Sequence, residues 1–315
     1  MDYLKILGCG SALPVINRNP SSQVLFDQNQ FFLIDCGEGT QLSLRKHKIS
    51  FARINHIFIS HLHGDHYFGL PGLLSSFHLL GRKKPLHLYG PAGLIDILEL
   101  NFKYSYTQLG YPIEFHLIHG KEQKLIYEDR GISVYSFPLN HRIECHGFLF
   151  KEKDKPRKLK QSALEKYKVP VEVRKLIKLG NDYWNGTENI PNAVLTEPAE
   201  NQSVSYAYCS DNRIKKKLVE FLKGVDFIYH ETTFLASEKS RAKATYHSTA
   251  AEAAELAKEL QVKKLIMGHY SARYPNPQPL LQEAIQIFPS CILGEDGLEF
   301  KFKNNAIKSQ KEGIQ

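Results

Sequence analysis

One short stretch, SHLHGDH at residues 60–66, places three histidines and one aspartate within six consecutive positions. The apolar run before it predicts a buried strand, and the glycine and proline after it predict the start of a helix. Because side chains two positions apart on an extended backbone point the same way, His61 and His63 can share one metal ion. Gly64 would permit a turn that directs Asp65 and His66 to a neighbouring point. Imidazole and carboxylate ligands suit Zn²⁺, so the pattern predicts a metal-binding loop between a strand and a helix.

Four ligands cannot complete two metal ions, so further ligands are expected elsewhere in the chain. Three isolated residues fit, because each comes just after a predicted strand: His141, Asp211 and His269. Taken alone, each would more often be a structural residue. Their common placement favours the interpretation as metal ligands.

Short runs of β-branched and aromatic residues alternate with helical patterns along most of the chain. The predicted strands are residues 3–7, 31–34, 54–59, 86–89, 132–137, 204–209, 227–229 and 264–267. The predicted helices are residues 41–48, 71–80, 92–102, 213–222, 249–260 and 279–288. Ser248 and Thr249 precede a helix in which Glu252 is placed to complete a capping box. The mixture predicts an α/β fold in which sheet layers are covered by helices.

The 315 residues are 42% apolar, which is enough for one large core. No apolar run approaches the length of a membrane span, and residues 1–3 lead straight into a strand-like run. The five cysteines, scattered and without CxxC spacing, are expected to be buried free thiols in a reducing compartment. A cytoplasmic protein without a membrane segment is therefore expected.

The positive charge is concentrated in one segment. The net charge is +8, and residues 151–183 hold eleven Lys and Arg against five Asp and Glu, a net +6. From residue 151 to about 192 the apolar periodicity weakens and prolines recur, with short helices predicted at 161–167 and 171–179. We interpret 151–192 as an arm inserted into a single domain spanning 1–315. Charge alone fits either a polyanionic partner or a solvated loop.

The pattern HxHxDH followed by isolated His, Asp and His resembles the metallo-β-lactamase superfamily. Within it, the chain is similar to the ribonuclease Z family, endonucleases that mature the 3′ ends of tRNA. The motifs that carry the narrower resemblance are residues 8–14 (GCGSALP), 32–41 (FLIDCGEGTQ), 230–234 (HETTF) and 247–249 (HST). The resemblance implies a four-layer αβ/βα sandwich with an inserted basic arm, and a zinc-dependent endoribonuclease that removes the 3′ trailer from tRNA precursors.

The resemblance also implies residue roles. One zinc ion would be held by His61, His63 and His141, and the other by Asp65, His66 and His269, with Asp211 bridging them; manganese is the alternative metal. Asp65 would orient or deprotonate the attacking water, and His247, held by Glu231, would protonate the leaving ribose oxygen. Asp35 would hold the metal loop by hydrogen bonds.

For the substrate, the resemblance implies that the arm clamps the body of a tRNA precursor, and that in a homodimer one subunit's arm lies across the other's active site. The expected substrate contacts are Arg273, Lys155, Arg157, Lys158 and Lys160.

Two alternatives stay open: a hydrolase of small phosphodiesters or esters with the same fold, and a non-catalytic RNA-binding subunit. Six other histidines are expected to be packing or surface residues: His56, His78, His87, His116, His119 and His146.

Overall fold

The computed structural model describes residues 1–199, 203–303 and 305–308. The described chain divides into two compact units. The larger unit consists of Met1–Lys151 and the described residues from Val204 onward, and the smaller unit is Glu152–Ser203. Residues 152–192 of the predicted arm lie in the smaller unit, whose far boundary is eleven residues beyond residue 192, whereas Lys151 belongs to the larger unit.

The strands of the described chain are numbered in chain order. They are β1 Tyr3–Gly8, β2 Ser22–Asp27, β3 Gln30–Ile34, β4 Ile54–Phe58, β5 Leu86–Gly90, β6 Ile113–Leu117, β7 Lys124–Glu128, β8 Ile132–Leu139, β9 Cys145–Glu152, β10 Lys158–Leu159, β11 Tyr183–Trp184, β12 Asn189–Ile190, β13 Thr196–Glu197, β14 Ser205–Cys209, β15 Phe227–Glu231, β16 Lys264–Gly268, β17 Cys291–Leu293, β18 Glu299–Lys301 and β19 Ala306–Lys308.

The helices are numbered in the same way. They are α1 Thr40–Lys46, α2 Gly64–Tyr67, α3 Leu70–Leu79, α4 Gly93–Tyr104, α5 Gln161–Lys166, α6 Val171–Lys178, α7 Asn192–Leu195, α8 Lys217–Leu222, α9 Lys239–Thr245, α10 Ala250–Glu259 and α11 Gln278–Ile285, with 3₁₀ turns at Phe51–Arg53 and Ala236–Glu238. Among the described helices, none combines the length and the apolar character that a bilayer span needs.

The first sheet has eight strands in the order β19-β18-β1-β2-β3-β4-β5-β6. Because side chains alternate across a strand, each strand supplies two apolar faces. On one face Leu33, Ile57 and Leu88 share a core with the apolar residues of α1, α3 and α4. On the other face Phe32 and Phe58 belong to the core that joins the two sheets.

The second sheet has seven strands in the order β17-β16-β15-β14-β9-β8-β7. The ring of Phe58 lies 5.4 Å from that of Phe148 and 5.6 Å from that of Phe150, so the two sheets pack face to face. Helix α10 contacts β15 and β16, and α11 contacts α10 and β17. The predicted four-layer arrangement, with two sheets between layers of helices, is confirmed.

Most predicted elements are present, with shifted ends. Helix α10 begins at the capping box predicted from the sequence, in which Thr249 is the cap and Glu252 its partner. At the turn predicted for Gly64, the backbone N–H of His66 donates to the His63 carbonyl at 3.0 Å, and Gly64 begins the short helix α2. A Cβ at this position would lie 2.2 Å from the ring of Phe68, so the ring packs directly against the glycine. As predicted, all five cysteines are buried and free.

The smaller unit, considered by itself, has its own small core. The two helices predicted there are present as α5 and α6. The pairs β10–β13 and β11–β12 form two short antiparallel ladders. The buried apolar residues of the unit are Leu164, Val169, Ile177, Ile190 and Leu195.

Candidate metal centre

Three histidines meet where β4 and β8 end. His61 and His63 follow β4, and His141 follows β8. Nδ1 of His63 lies 3.1 Å from Nε2 of His61 and 3.1 Å from Nε2 of His141. With Asp211, these residues place four ligand atoms within 4.8 Å of one another. They form the first ligand group.

A second ligand group lies beside the first. It consists of Asp65 and His66, both on α2, and His269, which follows β16. Oδ2 of Asp65 lies 3.4 Å from Nε2 of His66 and 3.3 Å from Nε2 of His269. All three side chains are buried.

Asp211, which follows β14, faces both groups with different oxygens. Its Oδ2 lies 3.5 Å from Nε2 of His61 and 3.6 Å from Nε2 of His141. Its Oδ1 lies 3.3 Å from Nε2 of His66 and 3.0 Å from Nε2 of His269. The structure thus brings together all seven residues that the sequence analysis proposed as ligands.

In four of the histidines Nδ1 makes a hydrogen bond that leaves Nε2 facing the ligand group. These bonds run from His61 to Ser60 Oγ (3.0 Å), from His66 to Asp35 Oδ2 (2.7 Å), from His141 to the Tyr246 carbonyl (3.2 Å) and from His269 to Thr233 Oγ1 (2.9 Å). A metal-ligating imidazole characteristically uses its other nitrogen in this way, which fixes the ring orientation.

Asp35 is the main anchor of the motif loop, as the sequence analysis expected. Its carboxylate accepts hydrogen bonds from Ser60 N (2.7 Å), Ser60 Oγ (2.9 Å) and Tyr208 OH (2.6 Å), besides contacting His66. Asp35 and His269 adopt left-handed backbone conformations, with φ of 54° and 57°. Such conformations are costly for residues other than glycine and cluster at functional sites.

The donor set fits divalent metal ions. Imidazole nitrogens and carboxylate oxygens are the ligands that zinc accepts. Burial opposes a charge on His269, yet Asp211 and Asp65 raise its pKa to about 10, so the site strongly favours positive charge. Nε2 of His66 is buried and makes no well-formed hydrogen bond to the carboxylates of Asp211 and Asp65, which lie 3.3 and 3.4 Å away. A cation between the carboxylates would satisfy that atom.

Next to the ligand groups lies a second pair of residues, His247 and Glu231. Nδ1 of His247 is 3.0 and 3.1 Å from the two carboxylate oxygens of Glu231. Burial opposes protonation of His247, but Glu231 outweighs it and raises the pKa. The Thr233 hydroxyl donates to Glu231 and contacts Nδ1 of His269, so the pair is linked to the second ligand group.

Asn212 ties the loops of the site together, a role that the sequence analysis missed. Its backbone N–H donates to Glu231 at 2.6 Å, and its side-chain oxygen accepts from the backbone N–H of Asn140 at 3.0 Å. Its side-chain nitrogen lies 3.3 Å from Nε2 of His230, and its carbonyl accepts from the Ser248 hydroxyl. The sequence feature that could have indicated this role is the position of Asn212 directly after the proposed ligand Asp211, at the end of a strand.

The two ligand groups open into a cavity of about 560 Å³. Among the described residues that line it are Glu38, Phe68, Arg142, Phe234 and His247. Arg142 was not predicted as a site residue.

The predicted substrate contacts are divided between the two units. Arg273 is exposed and is not one of the lining residues of this cavity. The other four predicted contacts belong to the smaller unit: Lys155, Arg157, Lys158 and Lys160.

Comparison with curated proteins finds close relatives over nearly the whole chain. Ribonuclease Z of Bacteroides fragilis (strain YCH46) is 48% identical over 296 residues, which cover 94% of this chain and 97% of the relative. Ribonuclease Z of Cytophaga hutchinsonii is 45% identical over 303 residues, which cover 95% of this chain and 96% of the relative.

Solved structures give a concordant result. The short form of human tRNase Z superposes with a TM-score of 0.70 at 28% identity, over 94% of this chain and 98% of that chain. The metallo-β-lactamase fold protein YhfI from Bacillus subtilis superposes with a TM-score of 0.68 at 15% identity, over 96% of this chain and 100% of that chain. A family model described as anti-Pycsar protein Apyc1 matches residues 3–152, somewhat less than half of the chain.

Proposed function

Since the chain belongs to the ribonuclease Z family, we propose that it removes the 3′ trailer from tRNA precursors by metal-dependent hydrolysis of one phosphodiester bond. The observation that carries this proposal is the position of Asp211, with one oxygen toward each ligand group, in a cavity that His247 also lines. Paired metal groups joined by one carboxylate are suited to in-line displacement at phosphorus.

Two divalent cations would occupy the site, with zinc favoured by the donor chemistry and manganese as the alternative. One would be held by His61, His63 and His141 and the other by Asp65, His66 and His269, with Asp211 shared by both. Bound there, the cations would make water more acidic and offset negative charge on the phosphate oxygens.

Asp65 would orient the attacking water or accept its proton. Burial raises the pKa of this carboxyl group, but His66 and His269 outweigh burial and hold the pKa below its usual range. The carboxylate form of Asp65 can therefore accept a hydrogen bond from the water at neutral pH.

His247 would donate a proton to the departing ribose 3′-oxygen. Glu231 binds Nδ1 of His247, so this carboxylate stabilises the charged imidazole before the proton is transferred. The tRNA then keeps a 3′-hydroxyl, and the trailer leaves with a 5′-phosphate. Glu231 acts on the reaction through His247, as a positioning residue.

The basic arm, residues 151–192, would bind the body of the tRNA through phosphate contacts from Lys155, Arg157, Lys158 and Lys160. Net positive charge favours a polyanion by releasing counterions. In the structure Arg157 donates to the Thr196 hydroxyl at 2.7 Å and Lys160 to the Ala193 carbonyl at 3.2 Å, so both also hold the unit together.

Near the cleavage site, Arg142 and Arg273 are the candidate phosphate contacts. Arg142 lines the cavity, and its guanidinium donates to the Ala244 carbonyl at 3.2 Å. Arg273 is exposed and follows His269 by four residues.

We also propose a cytoplasmic homodimer in which the arm of one subunit serves the active site of the other. Processing of tRNA is a cytoplasmic task in bacteria, the group to which the closely related ribonuclease Z proteins belong.

A comparison of two substrates tests the proposal. The purified, zinc-loaded protein should cleave a tRNA precursor with a far higher kcat/KM than bis(p-nitrophenyl) phosphate. Vigorous hydrolysis of the small diester without cleavage of the precursor would instead support a small-molecule hydrolase. Binding of the precursor without hydrolysis of either substrate would support a non-catalytic RNA-binding subunit.

A further inference from the structure

A separate group of ligand-type side chains lies at the edge of the first sheet, on β5 and β6. Nδ1 of His87 is 3.1 Å from Nε2 of His116 and 3.2 Å from Oε2 of Glu114. The three ligand atoms lie within 4.8 Å of one another. None of these residues belongs to the two ligand groups of the candidate metal centre.

The register of the sheet, and not a loop, brings the three residues together. Strands β5 and β6 are parallel, and His87 pairs directly with Glu114. His116 is two residues further along β6, so its side chain projects from the same face as that of Glu114. A site built on regular strands holds its ligands more accurately than one built on loops.

Both imidazoles are held by stacking on neighbouring rings. The ring of His87 stacks on that of His56, with centroids 4.8 Å apart and an interplanar angle of 9°. The ring of His116 stacks on that of Tyr89, with centroids 4.3 Å apart and an angle of 11°. Since His56 and Tyr89 are buried, the two rings are ordered before any ligand binds, which lowers the entropic cost of binding.

The hydrogen bonds available inside this group do not satisfy all of its atoms. Nδ1 of His87 carries at most one proton, so it cannot donate to Glu114 and to His116 at the same time. A cation among the three atoms would engage all of them at once. The side chain of Glu114 is 50% exposed and that of His87 is 30% exposed, so an ion can reach the group from solvent.

We propose that His87, Glu114 and His116 bind one divalent transition-metal ion, with zinc as the expected occupant. Two imidazole nitrogens and one carboxylate oxygen make a three-ligand zinc set that leaves a further position for water. The ion would tie β6, the last strand of its sheet, to β5. This site is independent of the proposed catalytic function, and it revises the expectation that His87 and His116 only pack or face solvent.

Zinc content measures the site directly. The full-length protein and its variants are dialysed against the same dilute zinc buffer, and zinc per chain is determined by mass spectrometry. His116→Ala and Glu114→Gln should each hold one zinc ion fewer than the wild type and retain cleavage activity. His119→Ala is the matched control, because His119 is exposed and outside the group, and it should keep the full zinc content.

A catalytic-site variant separates the two kinds of site. The double variant His63→Ala/His116→Ala should hold one zinc ion per chain fewer than His63→Ala alone. This difference is expected however much zinc the His63→Ala protein keeps at the candidate metal centre. Glu114→Gln guards against misfolding, because Glu114 is exposed and its amide replacement keeps the shape of the side chain. Equal zinc content in the wild type, His116→Ala and Glu114→Gln would overturn the proposal. Equal losses in His116→Ala and His119→Ala would also overturn it, because they indicate non-specific surface binding.

Discussion

Both carboxylate oxygens of Glu231 lie within 3.1 Å of a single atom, Nδ1 of His247. Glu231 is fully buried, whereas the side chain of His247 is 16% exposed and reaches the cavity of the candidate metal centre. The contact with Glu231 fixes the imidazole at Nδ1 and leaves Nε2 available to a substrate. It is the geometry expected of a general acid held by a carboxylate.

Replacing His247 with Ala should lower kcat for tRNA precursor by about 10²–10⁴-fold, the usual contribution of general acid catalysis. KM and metal content should stay near the wild-type values, because His247 is not one of the proposed ligands. Steady-state cleavage assays measure kcat and KM, and metal analysis of the same protein measures its metal content. Glu231→Gln should lower kcat less, because the imidazole remains but loses its stabilising charge. Wild-type cleavage by His247→Ala would contradict the assigned role.

Replacing Asp211 with Ala should abolish cleavage and remove bound metal from both ligand groups, because one oxygen of Asp211 faces each group. Precursor binding should persist through the arm. Metal analysis and a filter-binding assay measure the two effects. His63→Ala should also abolish cleavage, but it should mainly reduce the metal bound by the ligand group that contains His61 and His141. An Asp211→Ala protein that still cleaves would show that the ligand assignment is wrong.

Replacing Asn212 with Ala should both lower the free energy of unfolding and disturb the alignment of the site residues. The change leaves the partly buried N–H of Asn140 without its acceptor, which should cost about 1 kcal/mol in free energy of unfolding, near the lower end of the usual penalty for a buried group. Urea unfolding measures that cost, and kcat should fall as well. Asn101→Ala, an exposed change on α4, is the matched control and should alter stability by less than about 0.5 kcal/mol. Equal behaviour of the two variants would argue against a tying role.

Removing the smaller unit should weaken precursor cleavage but spare a small diester. The larger unit permits a clean deletion, because Lys151 on β9 pairs with Ser205 on the antiparallel strand β14. An Asn-Gly turn in place of residues 152–204 should close these strands as a hairpin, at the cost of one buried residue of the larger unit, Val204. The variant should show a higher KM for precursor and a shallower dependence of binding on salt.

In the full-length protein, the fluorescence of the single tryptophan can report binding of the precursor. Trp184 lies in the smaller unit and is 62% exposed, so precursor binding to the arm should change its fluorescence. If the deletion reduced hydrolysis of both substrates equally, the unit would be structural and not a substrate clamp.

The sequence predicted the ligand set because its signals are local. Histidines two positions apart in SHLHGDH, and single residues just after apolar strands, can be recognised without knowing which strands are neighbours. The structure brings His141, Asp211 and His269 to the same point from β8, β14 and β16. The capping box at Thr249 was predictable for the same reason, since its partners are three residues apart.

What the sequence did not predict depends on contacts between distant segments. Seven described strands of the two large sheets were not predicted: β2, β6, β7, β9, β17, β18 and β19. Their pairing in the sheets depends on neighbouring strands that are distant in the chain, which a local pattern does not show. The tie from Asn212 to Asn140 joins residues 72 positions apart, and no local pattern marks it. The sequence favoured Arg273 as a phosphate contact, whereas the cavity is lined by Arg142.

Mapping both ends of the cleavage products tests the central claim most directly. The zinc-loaded protein is incubated with a tRNA precursor bearing a 3′ trailer, with and without a chelator. We predict a single cut near the discriminator base, a 3′-hydroxyl on the tRNA, a 5′-phosphate on the trailer and no product in the chelated sample. Cleavage that persists in the chelator, or products that carry a 3′-phosphate, would contradict the account.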